Sequence, residues 1–146
     1  MKKLFLLLGV TMLLILPILT GCSSEDEVVE IREQFFVQQI EYMLRNTERF
    51  VGTTVRMEGM FMGWTDGSFG GNMYYFVVRN VSDCCGGGGS AGFEVYMGDF
   101  APPENNAWVE ITGIFELRNS WQPNNPMLVL TAIEELTVRG METVMR

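Results

Sequence analysis

The sequence predicts an all-β fold, a small five-stranded Greek-key barrel with one N-terminal amphipathic helix, and three observations carry that prediction. After Gly52 the chain divides into five short runs rich in branched and aromatic residues, separated by Gly, Asn, Asp and Pro. One of them, AWVEITGIFEL at 107–117, puts Val109, Ile111, Phe115 and Leu117 on one side and Glu110, Thr112 and Glu116 on the other, so one face is buried and the other wet. The runs follow one another within about ninety residues without a regular repeat or a long helical insertion, which suits a barrel of the OB type. An antiparallel β-sandwich is the alternative.

The chain begins with a processing segment. Lys2 and Lys3 are followed by an apolar stretch from Leu4 to Leu19 that is 16 residues long, short for a membrane span and right for a secretory signal. It closes on LTGC. That phrase resembles the lipobox of bacterial lipoproteins, which implies cleavage after residue 21, lipidation of Cys22 and a stable anchor through two or three acyl chains. Residues 22–30 then form the lipidated cysteine and an acidic tether, SSEDE among them, and 31–146 form the barrel domain with its helix. Such a chain sits on a bacterial cell membrane, facing outside the cytoplasm.

Charge and missing residue types narrow the functions. The whole chain carries −8, and because both lysines leave with the signal the remainder has eight arginines against 18 acids. A surface this acidic repels phosphate backbones, so nucleic acid is excluded as a partner. The chain has no histidine, and past the signal no lysine. Ser-His-Asp, Cys-His and Ser-Lys catalysis, Schiff bases and HExxH zinc sites all need one or the other, which weighs against an enzyme. A hydrolase built on Asp66, Asp83 or Asp99 ranks last, since no two acids are visibly paired.

Along the domain, Ile31, Phe35, Ile40, Met43, Leu44 and Phe50 recur on roughly one face, predicting a helix over 29–46 that packs on the domain. The strands are expected at 53–64, 73–81, 92–98, 107–117 and 127–138, with Gly59 and Gly113 where a strand coils sharply or bulges. The connection after the third strand, DFAPPENN, carries Pro102 and Pro103 and is too short for a helix, so the N-terminal helix is expected to cap the barrel.

Several of these stretches resemble one family. ERFVGTTVRMEGMFMG, FVVRNVSDCCGGGGSAGFEV, AWVEITGIFEL and PMLVLTAIEEL are similar, in that order, to the C-terminal domain of YcgQ-like permease-associated proteins, over roughly residues 35–145. The spacing around the paired cysteines is the most specific part. Two departures stand out: glycines and Ser90 replace an acidic phrase after the cysteines, and a lipobox stands where the family has a membrane-spanning half. The resemblance implies a barrel domain working outside the membrane beside a permease subunit, with a part in metal handling.

Two sets of residues are candidates for a site. Cys84 and Cys85 are adjacent, and their alpha carbons, about 3.8 Å apart, are closer than the roughly 4.4 Å a relaxed disulfide needs, so a bond between them is strained and reducible. As a thiolate pair they suit a soft ion, zinc or copper, with Asp83 as a third ligand. A structural pair, a metal site and a redox switch all stand open. The other set is Trp64, Phe69 and Trp121, on or beside the loops that follow the first and fourth strands, which frame the binding face of an OB barrel. With Asp66, Asn119, Gln122 and Asn124 nearby, these aromatic plates suit a cell-envelope glycan or peptide. The methionines are scattered and read as core filler.

Overall fold

The computed structural model describes residues 28–67, 71–83 and 87–146. The expectations for the signal, Cys22 and the tether up to residue 27, and for Phe69, Cys84 and Cys85, lie outside the described residues. Among these, seven strands form one sheet: β1 (Val29–Ile31), β2 (Thr54–Thr65), β3 (Met73–Ser82), β4 (Gly88–Tyr96), β5 (Trp108–Arg118), β6 (Asn125–Glu135) and β7 (Thr143–Met145).

The five long strands close into a barrel. β2 pairs antiparallel with both β3 and β5, β5 with β6 and β3 with β4, while β4 and β6 close the ring in parallel through Glu94–Tyr96 and Met127–Val129. The predicted OB-like barrel is therefore the fold, and the five expected runs are its five strands. Closing so few strands bends each of them hard, and glycine sits where they pass closest. At Gly113 the β5–β6 register slips, and a Cβ there would lie 2.9 Å from the Val129 carbonyl oxygen. At Gly92 a Cβ would collide with the Val77 carbonyl oxygen across β3.

Val55, Met57 and Phe61 from β2, Val77 from β3, Phe93 and Val95 from β4, Ile111 and Phe115 from β5 and Leu128 from β6 fill the interior. Each large apolar side chain buried this way stabilises the fold by about 1.5–3 kcal/mol. Phe93 and Phe50 both meet the ring of Phe115 edge to face, at 5.6 and 6.5 Å between centroids.

The N-terminal region departs from the single helix predicted over 29–46. Val29–Ile31 forms β1, parallel to Val55–Met57 of β2, and a 3-10 turn at Glu33–Phe35 leads into α1 (Phe36–Arg45) and the short α2 (Thr47–Phe50). The alternation of Val29, Glu30, Ile31 and Arg32 fits a strand as well as a helix, and the free edge of β2 supplies the pairing that decides it. Gln39 fixes the corner: its Oε1 accepts the Arg32 N–H at 2.8 Å and its Nε2 donates to the Glu30 carbonyl at 2.9 Å. The buried face of α1 is consequently rotated. Phe36, Val37, Ile40 and Met43 enter the core, while Phe35 and Leu44, expected on the stripe, are exposed. The helix still caps the barrel, packing on β4 and β7, and the β4–β5 connection carries no helix. No helix among the described residues is long and apolar enough to cross a membrane.

Candidate functional site

β3 and β4 present a cleft of about 550 Å³ beneath the β5–β6 connection. Tyr74 and Tyr96 line it with Met73, and Glu94, Arg118 and Ser120 add polar groups. Strand alternation sets this pattern: Phe93, Val95 and Met97 turn into the core, which sends Glu94 and Tyr96 to the other face. Tyr96 is half exposed, whereas Glu94 is buried, because the β5–β6 connection folds across it.

Three side chains hold that connection against Glu94. Ser120 Oγ donates to Glu94 Oε2 at 2.7 Å, Asn125 Nδ2 donates to the same oxygen, and Gln122 Nε2 donates to Asn125 Oδ1 at 2.7 Å. Among the described residues both bonds to the carboxylate fall on Oε2. Arg118 pairs through Nε with Glu116 at 2.8 Å and lies over the Tyr96 ring, 4.6 Å from its centroid, so it braces the aromatic wall. Tyr74 is braced in turn by Trp64, at 5.7 Å between centroids. The cleft thus combines one exposed and one half-buried aromatic ring with a fixed acceptor, an arrangement that suits a ring bearing hydroxyl or amide donors.

The sequence-predicted residues are placed as follows. Trp64 and Trp121 are both about half exposed and neither lines the cleft; Trp64 reaches it through Tyr74. Asn119 lines the cleft, and its Oδ1 also accepts the Asn124 N–H at 3.2 Å, closing a turn in which Asn124 takes a left-handed φ of 52°. Gln122 is engaged with Asn125. The loop amides therefore build the wall as much as they face a ligand. Glu94, Tyr74, Tyr96 and Arg118 were not among the predicted site residues; a lone acid inside the apolar run GFEVYMG was the available signal.

The cysteine pair falls in the β3–β4 connection. Its flanking residues are drawn together: the Gly87 N–H donates to Asp83 Oδ1 at 2.7 Å and the Asp83 N–H to the Gly87 carbonyl at 3.2 Å. Asp83 accordingly closes a hairpin. Among the described residues no three metal-ligating side chains cluster.

A second polar cluster lies at the other end of β3. Arg79 is buried, 2% exposed. Its Nε donates to the Glu58 carbonyl at 3.0 Å, and NH1 donates to Glu33 Oε2 at 2.9 Å and to the Met141 carbonyl at 3.0 Å. The guanidinium sits 5.0 Å from the Phe36 ring centroid and 4.9 Å from that of Trp108. The backbone N–H of Met141, then the Arg79 side chain, hold the Glu33 carboxyl below the usual carboxylate range. This cluster ties both ends of the described chain to the barrel.

Residues 19–140 match the model of the DUF1980 C-terminal domain, and the chain belongs to that family. No curated protein matches it.

Proposed function

We propose that this DUF1980 C-terminal domain is a binding module, held by a lipidated Cys22 on the outer side of a bacterial membrane, that takes a cell-envelope glycan in the Tyr74–Tyr96 cleft. The observation that carries the reading is the cleft itself: the exposed Tyr96 and the half-buried Tyr74 beside a buried carboxylate whose loaded oxygen is Oε2. Aromatic faces take the apolar face of a sugar ring, and the carboxylate accepts from its hydroxyl or acetamido groups. The LTGC phrase supports the anchor, and the mature chain's acidic composition makes the lipid, rather than a basic patch, the link to the bilayer. A place beside a permease subunit, with Cys84 and Cys85 serving a soft metal there, is the companion proposal that the family resemblance supports.

Chitotetraose, an N-acetylglucosamine oligomer, is the test ligand for the detergent-solubilised full chain. Titration is expected to shift the amides of Tyr74, Glu94 and Tyr96, and Glu94→Gln and Tyr96→Ala are expected to weaken binding at least tenfold with the barrel intact. Unchanged affinity in both variants rejects the cleft as the site. Palmitate labelling that persists in Cys22→Ser rejects the anchor.

A further inference from the structure

β4 is paired unevenly. On one side Gly88–Val95 runs against Tyr75–Ser82 of β3, but on the other only Glu94–Tyr96 has a partner strand, β6. The stretch 88–92 therefore presents an edge of backbone N–H and C=O groups that no described strand covers. Native proteins usually blunt such an edge with proline, a charge or a bulge. Here the edge reads GGSAG.

The glycines in this stretch differ in kind. At Gly92 a Cβ would strike the Val77 carbonyl, so the fold itself requires glycine there, and at Gly87 it would displace the Asp83 carboxylate that closes the hairpin. At Gly89 a Cβ would meet nothing within 4 Å, and at Gly88 only the Val81 carbonyl at 3.8 Å. Neither takes a positive φ. Nothing among the described residues asks for glycine at 88 or 89, yet glycine is among the residues least suited to a strand. A glycine in a strand marks a bulge, a sharp bend or the close approach of a ligand or another backbone, and the β3–β4 register runs through Gly88 and Gly89 without a bulge.

The space for that approach is present. A groove of about 330 Å³ runs along 88–92, with Val37, Ile40 and Leu44 of α1 as its apolar wall. Its polar end holds Asp83, Glu41 and Arg146, two carboxylates to one guanidinium, and Arg146 is bonded to Glu41.

We infer that this edge accepts an extended, basic segment of a partner polypeptide as an added strand beside β4. The unpaired backbone groups supply the pairing, the missing side chains at Gly88 and Gly89 give the segment room, and the exposed Leu44 receives side chains from one face of the segment. Charge decides among occupants: the chain's own Glu25, Asp26 and Glu27 would bring acids to a rim of net negative charge, and a second copy would bring the same net negative cluster of Glu41, Asp83 and Arg146, whereas a basic segment is complementary. The inference does not rest on the glycan cleft, which lies elsewhere on the barrel with no lining residue in common.

The probe is an acetylated, amidated octapeptide of alternating valine and lysine, titrated into the detergent-solubilised full chain and followed by amide shifts. Gly88–Ala91 and Leu44 are expected to move. Only one edge of the added strand pairs, so of two peptides N-methylated on alternate residues one loses at least tenfold in affinity and the other does not. An alternating valine–glutamate peptide binds at least fivefold more weakly. Gly88→Val with Gly89→Val weakens binding at least tenfold, and an unchanged melting temperature shows that the fold is intact. Unmoved amides at saturating peptide, or equal binding of both N-methylated peptides, overturn the inference. Shifts of the same amides that grow with protein concentration alone assign the edge to a second copy and overturn it as well.

Discussion

β3 and β4 lie side by side, and each carries one buried charged residue: Arg79 on the first, Glu94 on the second. The two are built differently. Arg79 bonds to groups from three segments of the chain and lies over two aromatic rings, so that it is almost wholly enclosed by protein. Glu94 receives two donors on one oxygen and lines an open cleft. A buried charge whose donors are spent on distant segments holds a fold together; one that lines a cleft with acceptor capacity to spare can also recognise a ligand.

Removing each charge separates the two roles. Arg79→Ala strands the Glu33 carboxylate and the Glu58 and Met141 carbonyls, and it is expected to lower the unfolding free energy by roughly 3–5 kcal/mol, a large share of what a domain of this size has. Glu94→Ala leaves Ser120 and Asn125 without an acceptor, at a cost of about 1–3 kcal/mol. Urea unfolding measures both. Equal losses mean that Glu94 is also a fold clamp, and the distinction fails.

Acid sharpens the comparison on the Arg79 side. The hydrogen bond from Met141 and the Arg79 guanidinium depress the Glu33 pKa in the folded state, so its contribution is fully present above the unfolded value of about 4.3 and is lost as pH falls through the lower folded value. Glu33 is 40% exposed, so the effect is modest. The stability difference between the wild type and Glu33→Gln is therefore expected to be constant near neutrality and to shrink below pH about 4. A difference that stays constant down to pH 2 shows that the carboxylate contributes by packing rather than charge.

Local patterns gave away the barrel and hid the site. Runs of branched and aromatic residues between Gly, Asn, Asp and Pro located all five barrel strands, and the two-residue period is clean in β5, where one face is buried and the other wet. β1 and β7 span three residues each, too few to show a period, and their pairing partners lie far away in sequence. The same distance concealed the two charges. Glu94 meets Ser120 and Asn125 across 26 and 31 positions, and Arg79 meets Glu33 and Met141 across 46 and 62. Nothing near FVVRN or GFEVYMG records those encounters. The loops that frame the cleft were legible from their place after the first and fourth strands, but which ring faces inward depends on strand register, and register put Tyr74 and Tyr96 there rather than the tryptophans.

That last point yields the smallest expected effect. Trp121 sits in the β5–β6 connection, 54% exposed, and the connection is held without it by the Ser120–Gln122 backbone bond at 3.1 Å, the Asn119–Asn124 turn and the Gln122–Asn125 bond. Trp121→Ala is therefore expected to change stability by less than about 0.5 kcal/mol and chitotetraose affinity by less than about twofold. Trp64 is the contrast, because its ring supports Tyr74 and an aromatic pair contributes about 0.5–1.5 kcal/mol beyond its buried area. Measuring both variants separates a wall of the cleft from its surroundings. A tenfold loss of affinity in Trp121→Ala with stability unchanged means that the indole closes over bound ligand, and the recognition surface then extends from β3 and β4 onto the β5–β6 connection.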